Sequence, residues 1–594
     1  MLTTLTAPAF AKTWYIEEGD ITISAGKTEG TNKVTQGTTT DEEDTNTTIT
    51  NRDKDTPSSN TVTIDAKDED DKVEVTLKDV NIDASSRSEA AVSVTGKGDT
   101  TIELDGDNEL KSGAGHAGLE HNKTDTSGEL TIQDKDNNGS LEAAGGFKGA
   151  GIGSAGSNDA QVKITGGNIT ATSDDWGAGI GSGSSGTGTV EITGGEINAT
   201  GGYLGAGIGG GCNGSGNVTI SGGTITAAGS DGAAGIGGGY YNGATVTITG
   251  DAVIKNASST KYGAGIGGGN GSDGNVTISG NAKIENATGG YGAAGIGGGA
   301  FSSPDKIGNG NVVIKDNAKI DNVQGGAYGA GIGGGIFGLS NVTIEGNTKV
   351  NATGGAGGAA IGGGAGAENN SDNNGNQITI KSNENGSPTI NAVGGGTDEG
   401  EKIVIGGAGI GAGCESNADA DITLEGKVTI TATAGKDNVA IGANGIEQEF
   451  SGLAEGSSIT RYDPEGNDIT LPTDPVPAVP SSSGGSSADA SVQESVFPGL
   501  VVTDKDGQRI SYTSIRDNNV LSLRVGRFTA SLRASLATLR QLRAEGIDTI
   551  TFQTILCSTT LSVDELLAMG GEDAEVVLTH HIRSSTLTVG GKAV

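Results

Sequence analysis

One isoleucine recurs through most of the chain at a nearly constant interval, and this repeat restricts the folds that are possible. The first three intervals are 28 residues long and the others range from 29 to 49. The repeated residue stands at Ile152, Ile180, Ile208, Ile236, Ile266, Ile296, Ile332, Ile361, Ile410 and Ile441. A repeat of about 20 to 50 residues indicates a solenoid, in which each repeat buries its apolar face against the next.

The contents of each repeat indicate strands rather than helices. At 190–192 and 197–199, apolar residues alternate with polar ones, so each segment has one inward face. Residues 178–180 form a third short segment of this kind, and glycine-rich turns join the three. Three strands per repeat, each stacked on its equivalent in the next, predict an all-β fold: a parallel β-helix of about 12–14 coils.

The composition agrees with a thin, repetitive core. Glycine accounts for 109 of 594 residues, and only 33% of the chain is hydrophobic. The net charge of −36 would repel nucleic acid and anionic lipid, so we expect no nucleic-acid partner. We also expect no membrane insertion, because no apolar run approaches the length of a membrane span.

Four segments differ in composition. Residues 1–11 are uncharged and end in Ala-Phe-Ala, which predicts a truncated export signal, with an ordinary N-terminal arm as the alternative. Residues 12–460 form the predicted β-helix. Residues 461–496 contain a Ser/Gly run and five of the ten prolines, which predicts a linker. Residues 497–594 are expected to form a small α/β module.

Within this last segment, helical and strand periodicities alternate. The spacing of apolar residues predicts a helix from Phe528 through Leu532 and Leu536 to Leu542, and a shorter one over 563–569. Residues 547–556 and 575–582 are predicted strands. Cys557, which comes directly after residue 556, is expected to lie in a strand and in the core.

A row of aromatic residues precedes the glycine-rich strand of successive repeats. Six of the 19 aromatic residues share this slot, with Asp231 as the exception: Phe147, Trp176, Tyr203, Tyr262, Tyr291 and Tyr328. The strand's outward positions, such as Gly177, Gly179 and Gly181, are expected to form a flat, bare floor beside them. Since sugar rings stack on aromatic faces, these six are predicted to bind a glycan; a purely structural stack is the alternative.

No set of residues in the repeats indicates catalysis, so we predict no catalytic residues. There is no arginine between Arg87 and Arg461 and no histidine between His121 and His580. The best acidic pair, Asp174 and Asp175, is adjacent in the chain, where side chains tend to point apart. A polysaccharide lyase or hydrolase, which would need a cluster of carboxylates in one groove, stays an alternative.

One segment matches the first half of a calcium loop. Asp134, Asp136 and Asn138 have the spacing of its first ligands, but position twelve of the loop would be Gly145 instead of an acid. A polar turn is the preferred interpretation, so we predict no cofactor, with Ca²⁺ as the one candidate. Cys212 and Cys414 lie about six coils apart, too far for a disulfide.

The glycine-rich repeats carry a resemblance to a known group. The Gly-Ala-Gly-Ile-Gly-Gly-Gly segments at 205–211 and 263–269, each followed by Val-x-Ile, resemble secreted clostridial proteins described as carbohydrate-binding-domain-containing. The likeness spans about residues 70–445. It implies a right-handed β-helix, secretion or a cell-surface location, and glycan binding.

Together these observations favour a secreted, non-enzymatic β-helix whose partner is a polysaccharide or a cell-surface glycan. The main alternative is a structural or adhesin-like spacer that presents the C-terminal module, in which case the partner is a surface protein.

Overall fold

The computed structural model describes residues 12–475, except 301–302, 304–305, 370–374 and 397–404. It also describes residues 500–593, except 504–506, 508, 511, 518, 526–528, 555–556, 572–573 and 582–584. The predicted export signal and the linker beyond residue 475 lie outside these ranges. Contacts divide the chain into two compact units: Met1–Pro464 with Asp468–Val479, and Glu465–Asn467 with Pro480–Val594.

The first unit is a parallel β-helix of about 15 turns, slightly more than the predicted 12–14. This confirms the fold class, and the right-handed sense stays a prediction. Each regular turn adds one strand to each of three stacked sheets, which we call sheets A, B and C.

Sheet A consists of Thr13–Tyr15, Thr47–Thr50, Lys72–Lys78, the first part of Asp99–Lys111, Leu130–Gln133, Asp159–Ile164, Gly188–Ile192, Gly216–Ile220, Ala244–Ile248, Gly274–Ile278, Gly310–Ile314, Ser340–Glu345, Asn376–Lys381 and Ala420–Glu425. Sheet C consists of Asn81–Asp83, the second part of Asp99–Lys111, Gly139–Gly145, Asn168–Ser173, Glu196–Thr200, Thr224–Gly229, Val253–Ser259, Lys283–Ile284, Ala287–Thr288, Lys319–Gln324, Lys349–Thr353, Thr389–Val393, Thr429–Thr433 and Ser458–Tyr462.

Sheet B contains the short strand that carries the repeated isoleucine. Its members are Ile21–Ala25, Asn32–Gln36, Thr39–Asp44, Val62–Ala66, Val92–Gly96, Leu119–Lys123, Ile152–Gly153, Ile180–Gly181, Ile208–Gly209, Ile236–Gly237, Ile266–Gly267, Ile296–Gly297, Ile332–Gly333, Ile361–Gly362, Ile410–Gly411, Ile441–Ala443 and Ile446–Glu447. The pairing between turns is parallel, except at the two ends of the β-helix and between Asn122–Lys123 and Asp159–Ala160.

The core consists of ladders of identical side chains. Val162 pairs with Val190 and Ile164 with Ile192, and the same register continues through the following coils. These side chains are at most 2% exposed. Each buried aliphatic side chain contributes about 1.5–3 kcal/mol, so the ladders provide the main stabilisation of a glycine-rich chain.

The predicted glycine floor is wrong, because its glycines are buried. Gly177, Gly179 and Gly181 are all buried. A Cβ on Gly179 would lie 2.7 Å from the backbone nitrogen of Thr200, and one on Gly181 would lie 2.0 Å from the carbonyl oxygen of Gly209. The glycines therefore allow neighbouring backbones to approach closely.

A loop also returns over this short strand. In the coil of Ile208, the backbone N–H of Cys212 donates to the carbonyl of Trp176 in the preceding coil, at 2.7 Å. Ser184 donates to Lys148 in the same way, at 3.0 Å. The turn after each sheet B strand thus lies beside the turn that precedes the strand one coil earlier.

The last strand of the β-helix, Ser458–Tyr462, extends past the predicted boundary at residue 460. In it, the fully buried Arg461 takes the ladder position held by Ala432 in the coil before. Its guanidinium binds Asp474 at 2.6 Å and Glu447 at 2.5 Å. A charged side chain with two acidic partners thus ends the apolar ladder, and the chain stays packed there as far as Asp474.

The second unit contains the predicted mixture of strands and helices. One sheet is formed by Leu500–Thr503, Ala530–Ser535, Glu575–His580, Ser585–Val589 and Lys592–Ala593, and the other by Thr513–Asp517, Val520–Arg524, Thr549–Gln553 and Ser558–Ser562. The helices are Leu536–Ala544 and Val563–Leu567. In the described part of the chain, no helix is both long and apolar enough to cross a membrane.

Two predictions for this unit are wrong. Leu532 lies in a strand, because Ala530–Ser535 pairs with Glu575–His580, and the helix begins only after its N-cap, Ser535. Phe528 lies outside the described residues. Cys557 lies between two strands, only partly buried, with its Sγ–H donating to the carbonyl of His581 at 3.3 Å.

Candidate functional site

The aromatic row lies in the tight turn between sheet C and sheet B. Asp175 pairs with Tyr203 in the next coil, and the N–H of Trp176 donates to the Tyr203 carbonyl at 3.1 Å. The N–H of Lys148 donates to the Asp175 carbonyl at 2.7 Å. Phe147, Asp175 and Tyr203 are therefore equivalent, and Trp176 is one residue further along.

The prediction that the six rings share one slot is therefore wrong. Phe147, Tyr203 and Tyr291 stand five residues before the repeated isoleucine, whereas Trp176, Tyr262 and Tyr328 stand four residues before it. Coils are only about 4.8 Å apart, so identical positions would force rings into face-to-face contact. Alternation between two adjacent positions avoids this arrangement.

Neighbouring rings meet at an angle. The centroids of Phe147 and Trp176 are 5.3 Å apart with planes inclined at 43°. Tyr291 lies 6.2 Å from Tyr262 at 90° and 5.5 Å from Tyr328 at 72°. These tilted and edge-to-face contacts stabilise the row by about 0.5–1.5 kcal/mol per pair and leave ring surface open to solvent.

Two of these aromatic residues occupy a left-handed backbone conformation. Trp176 has φ +67° and Tyr328 has φ +72°. Other coils have Lys148, Leu204, Gly232 or Gly292 at this position, all with positive φ, so the conformation is a regular feature of the turn. For a bulky residue this conformation is strained by about 1–3 kcal/mol, which the packing of the turn must offset.

Three further aromatic residues, which the sequence analysis missed, lie beside this row. Tyr240, Tyr241 and Phe337 follow their repeated isoleucine by four or five residues. The N–H of Tyr240 donates to the carbonyl of Leu204 at 3.1 Å. The turn after the Ile236 strand therefore lies next to the turn before the Ile208 strand. The offset of these three aromatic residues, four or five residues after the repeated isoleucine, is visible in the sequence, whereas their place beside the row depends on the packing of the turns. We call the nine residues the aromatic strip: Phe147, Trp176, Tyr203, Tyr240, Tyr241, Tyr262, Tyr291, Tyr328 and Phe337.

The aromatic strip contains most of the exposed large hydrophobic side chains. Six of the eight in the described ranges belong to it, with exposures from 36% to 50%: Phe147, Tyr203, Tyr241, Tyr262, Tyr291 and Phe337. The other two are Ile446 in the terminal hairpin and Met569 in the second unit. Trp176 and Tyr328 are half-buried.

Lysines lie over several of these rings. The Lys148 ammonium is 5.3 Å from the Phe147 centroid and 5.1 Å from that of Trp176. Lys306 is 4.2 Å from the centroid of Tyr241. These cation–π contacts bring positive charge to one strip of a strongly acidic protein.

A pocket opens beside the first ring of the strip. It has a volume of about 520 Å³, and its lining includes Phe147, Ser85, Lys111, Ser173 and Asp174. One aromatic face with several hydroxyl and charged groups is a combination that can hold a sugar ring.

The acidic pair near the strip is split between two environments. Asp174 is exposed, whereas Oδ1 of Asp175 is buried and has no hydrogen-bond partner. The chain thus places the two carboxyl groups differently, as expected of adjacent residues.

The segment that matches the first half of a calcium loop forms a turn. Asp134 accepts hydrogen bonds from the N–H groups of Asn138 at 3.2 Å and Gly139 at 3.0 Å. Asp136 is exposed, and the Asn138 amide donates to Asp105. Within the described residues, no three His, Cys, Asp or Glu side chains are grouped to hold a metal ion.

All three cysteines are free, as predicted for Cys212 and Cys414. Burial raises the pKa of the Cys212 thiol and raises that of Cys414 to about 11. Both side chains lie four residues after a repeated isoleucine, the position that Tyr240 takes in its own coil.

Four segments of the β-helix match the family model described as Beta helix repeat, at residues 162–184, 190–212, 218–240 and 276–300. The chain carries beta-helix repeats. No curated protein and no solved structure matches it. The matched segments contain Trp176, Tyr203, Tyr240 and Tyr291 of the aromatic strip. The match supports the fold alone, since such repeats occur both in enzymes and in proteins without catalytic activity.

Proposed function

We propose that this protein is a secreted, non-enzymatic β-helix that binds a polysaccharide or a cell-surface glycan along the aromatic strip. The observation that carries the proposal is the concentration of exposed rings in the aromatic strip. Ile446 is the only other exposed large hydrophobic side chain in the described part of the β-helix. Exposed apolar surface gathered in one place is typical of an interaction site.

The dimensions of the strip suit an extended chain of sugars. It follows the axis through seven coils, from that of Ile152 to that of Ile332. Six steps of about 4.8 Å give a length of about 29 Å. A linear glycan lying along the axis would meet aromatic surface repeatedly, with its hydroxyl groups facing the polar residues on either side.

The strip is also ordered before any ligand arrives. Ring contacts hold Tyr291 between Tyr262 and Tyr328, and Lys148 lies over both Phe147 and Trp176. Side chains that are already held lose little conformational entropy on binding, which favours affinity at a modest contact area.

The non-enzymatic part of the proposal rests on the state of the carboxylates. Asp231 forms an ion pair with Lys261 at 3.0 Å, and Asp175 is partly buried beside Cys212. A lyase or hydrolase is tested directly by incubating the protein with pectin and neutral glycans. Release of shortened or unsaturated sugars would contradict a non-enzymatic role.

A structural role has support at one end of the strip. Tyr328 packs against Ala365 and Cys414, so this ring stabilises the coils around it. The test variant therefore uses the other rings: Trp176→Ala, Tyr203→Ala and Tyr262→Ala combined. The matched control is Ile446→Ala, which removes an even more exposed apolar side chain outside the strip.

The measurement is affinity electrophoresis and pull-down with insoluble polysaccharides, on variants that circular dichroism shows to be folded. We expect the triple variant to bind at least 100-fold more weakly, since each ring contributes about 1 kcal/mol or more. The control should bind like the wild type. Equal binding by the triple variant would exclude the strip as the site. No binding by the wild type to plant, host or bacterial glycans would favour the spacer.

A further inference from the structure

The row of rings ends at Phe147, and a pocket opens at this end of the aromatic strip. The N–H of Gly115 donates to the carbonyl of Phe147 at 2.7 Å, the bond that joins equivalent turns elsewhere in the strip. Ala114 is therefore the equivalent of Phe147 in the coil before, and it has only a methyl group. Both residues line the pocket of about 520 Å³. This volume lies within the range of about 300–1,000 Å³ that is typical of small-molecule sites.

The pocket offers a hydrogen-bond acceptor from one side of Phe147 and a donor from the other. Asp174, in the following coil, is exposed and lines the pocket with its carboxylate side chain. Lys111, in the preceding coil, is also exposed and contacts Asp83 at 3.4 Å. Because an ammonium has three N–H groups, this one contact leaves Lys111 able to donate to a ligand.

Two of the four hydroxyl groups in the lining are already used within the protein. Ser112 donates to the carbonyl of Ala117 at 2.6 Å, and Ser173 donates to that of Gly149 at 2.8 Å. The charged groups are therefore better placed than these two serines to select a ligand.

Phe147 lies between the two charged groups along the axis of the β-helix. Lys111 is in register with Ala144 of the next coil, and Ala144 with Thr172 of the coil after. Asp174 follows Thr172, so two steps of about 4.8 Å, about 10 Å in all, separate its coil from that of Lys111. A sugar ring stacked on Phe147 covers this distance when opposite hydroxyl groups form hydrogen bonds of about 2.8 Å at each end.

We propose that this pocket is a subsite that holds one uncharged sugar unit of the glycan, with its ring on Phe147, one hydroxyl donating to Asp174 and another accepting from Lys111. This inference rests on the proposed function and specifies its ligand class. A hydroxyl group both donates and accepts hydrogen bonds, whereas a carboxylate only accepts them and an ammonium only donates them. An uncharged sugar therefore satisfies both sides of the pocket.

A charged sugar unit gains at one side of the pocket and loses at the other. A uronate is attracted by Lys111 and repelled by Asp174, and a protonated amino sugar meets the reverse. Two lysines and two aspartates lie at the pocket or in contact with its lining: Lys111, Lys148, Asp83 and Asp174. These four carry no net charge, so they favour neither sign of ligand charge.

The test compares Asp174→Asn and Lys111→Met with the wild type. The matched controls are Asp437→Asn, in a later turn between sheets C and B, and Lys349→Met, on sheet C; both side chains are exposed and lie outside the strip. Affinities are measured by affinity electrophoresis in xylan, galactomannan and β-glucan, and in carboxymethylated and aminoethylated derivatives of each one that binds. The buffer contains about 0.5 M NaCl, which screens charges beyond about 4 Å and so suppresses the effect of the net charge of −36.

We expect the wild type to bind at least one neutral polysaccharide and to bind both of its charged derivatives more weakly. Each pocket variant should lose about tenfold in affinity for the neutral probe, the effect of one hydrogen bond to a charged group. Asp174→Asn should also reduce the discrimination against the carboxymethylated derivative, and Lys111→Met that against the aminoethylated one. Both controls should bind like the wild type. A purely structural role would lower the melting temperature, recorded for each variant, and leave these preferences unchanged.

Three results would overturn the inference. Unchanged affinity of either pocket variant for the neutral probe, or stronger binding of a charged derivative by the wild type, would do so and leave glycan binding by the strip intact. Binding of none of the probes by the wild type would overturn both the subsite and the proposed function.

Discussion

A single methyl group in the glycine-rich strand should separate two coils of the β-helix. Gly209 has φ +129°, and a Cβ there would lie 2.1 Å from the carbonyl oxygen of Gly237 in the next coil. Gly19 offers a matched control with a similar φ of +136°, since no atom lies within 4 Å of the added Cβ. The two alanine variants therefore separate backbone strain from steric contact.

The magnitudes follow from these two contributions. Both variants place a side chain in a conformation that is strained by about 1–3 kcal/mol. Gly209→Ala adds the cost of overpacking, about 1–3 kcal/mol, because the carbonyl it meets belongs to backbone that cannot rotate away. We therefore expect Gly209→Ala to lower the free energy of unfolding by about 2–6 kcal/mol in total, and Gly19→Ala by about half as much.

The assay is chemical denaturation at 25 °C, followed by far-ultraviolet circular dichroism for the wild type and both variants. The reasoning is refuted if Gly209→Ala is no more destabilising than Gly19→Ala. That result would mean that the third strand does not pack against the next coil and that its glycines line an open surface.

Three other perturbations have defined outcomes. Arg461→Met should reduce the free energy of unfolding by about 3–5 kcal/mol, because it leaves Asp474 and Glu447 buried or half-buried without their cation; thermal unfolding measures it. Burial lowers the pKa of His121 in the folded protein. As the pH falls below about 6.5, this histidine therefore takes up a proton in the unfolded state before it does so in the folded state. Stability should therefore decrease from pH 7.5 to 5.5, and less so in His121→Gln. Burial raises the pKa of Cys414 to about 11, so this thiol should react with iodoacetamide at pH 8 far more slowly in native protein than in urea.

Each of these outcomes has a clear opposite. An Arg461→Met variant as stable as the wild type would show that the ion pairs do not close the end of the ladder. Identical pH profiles for the wild type and His121→Gln would exclude a contribution from that histidine. Alkylation of native Cys414 as fast as in urea would contradict its burial.

The repeated isoleucine was sufficient to predict the type of fold. Its interval, with the alternating pattern at 190–192, predicted a parallel β-helix with stacked valine and isoleucine ladders, which the register confirms. Such ladders depend on local spacing, and spacing is visible in one sequence. The six aromatic residues were also identifiable from their offset to the isoleucine, although their division into two positions was not.

Other features depended on contacts between residues far apart in the chain. Leu532 follows a helical spacing, yet it lies in a strand because Glu575–His580 pairs with its segment. Arg461, in the predicted linker, is buried because Asp474 and Glu447 approach it from other parts of the chain. Neither outcome can be read from a short window of sequence.

The sequence by itself thus determined that the chain stacks three-stranded coils and which rings recur beside the glycine-rich strand. Only the tertiary structure decided that the glycines are covered and that Tyr240, Tyr241 and Phe337 join the strip. The physical reason is that a periodic pattern specifies which residues stack, whereas exposure and hydrogen bonding depend on how the turns of successive coils pack against one another.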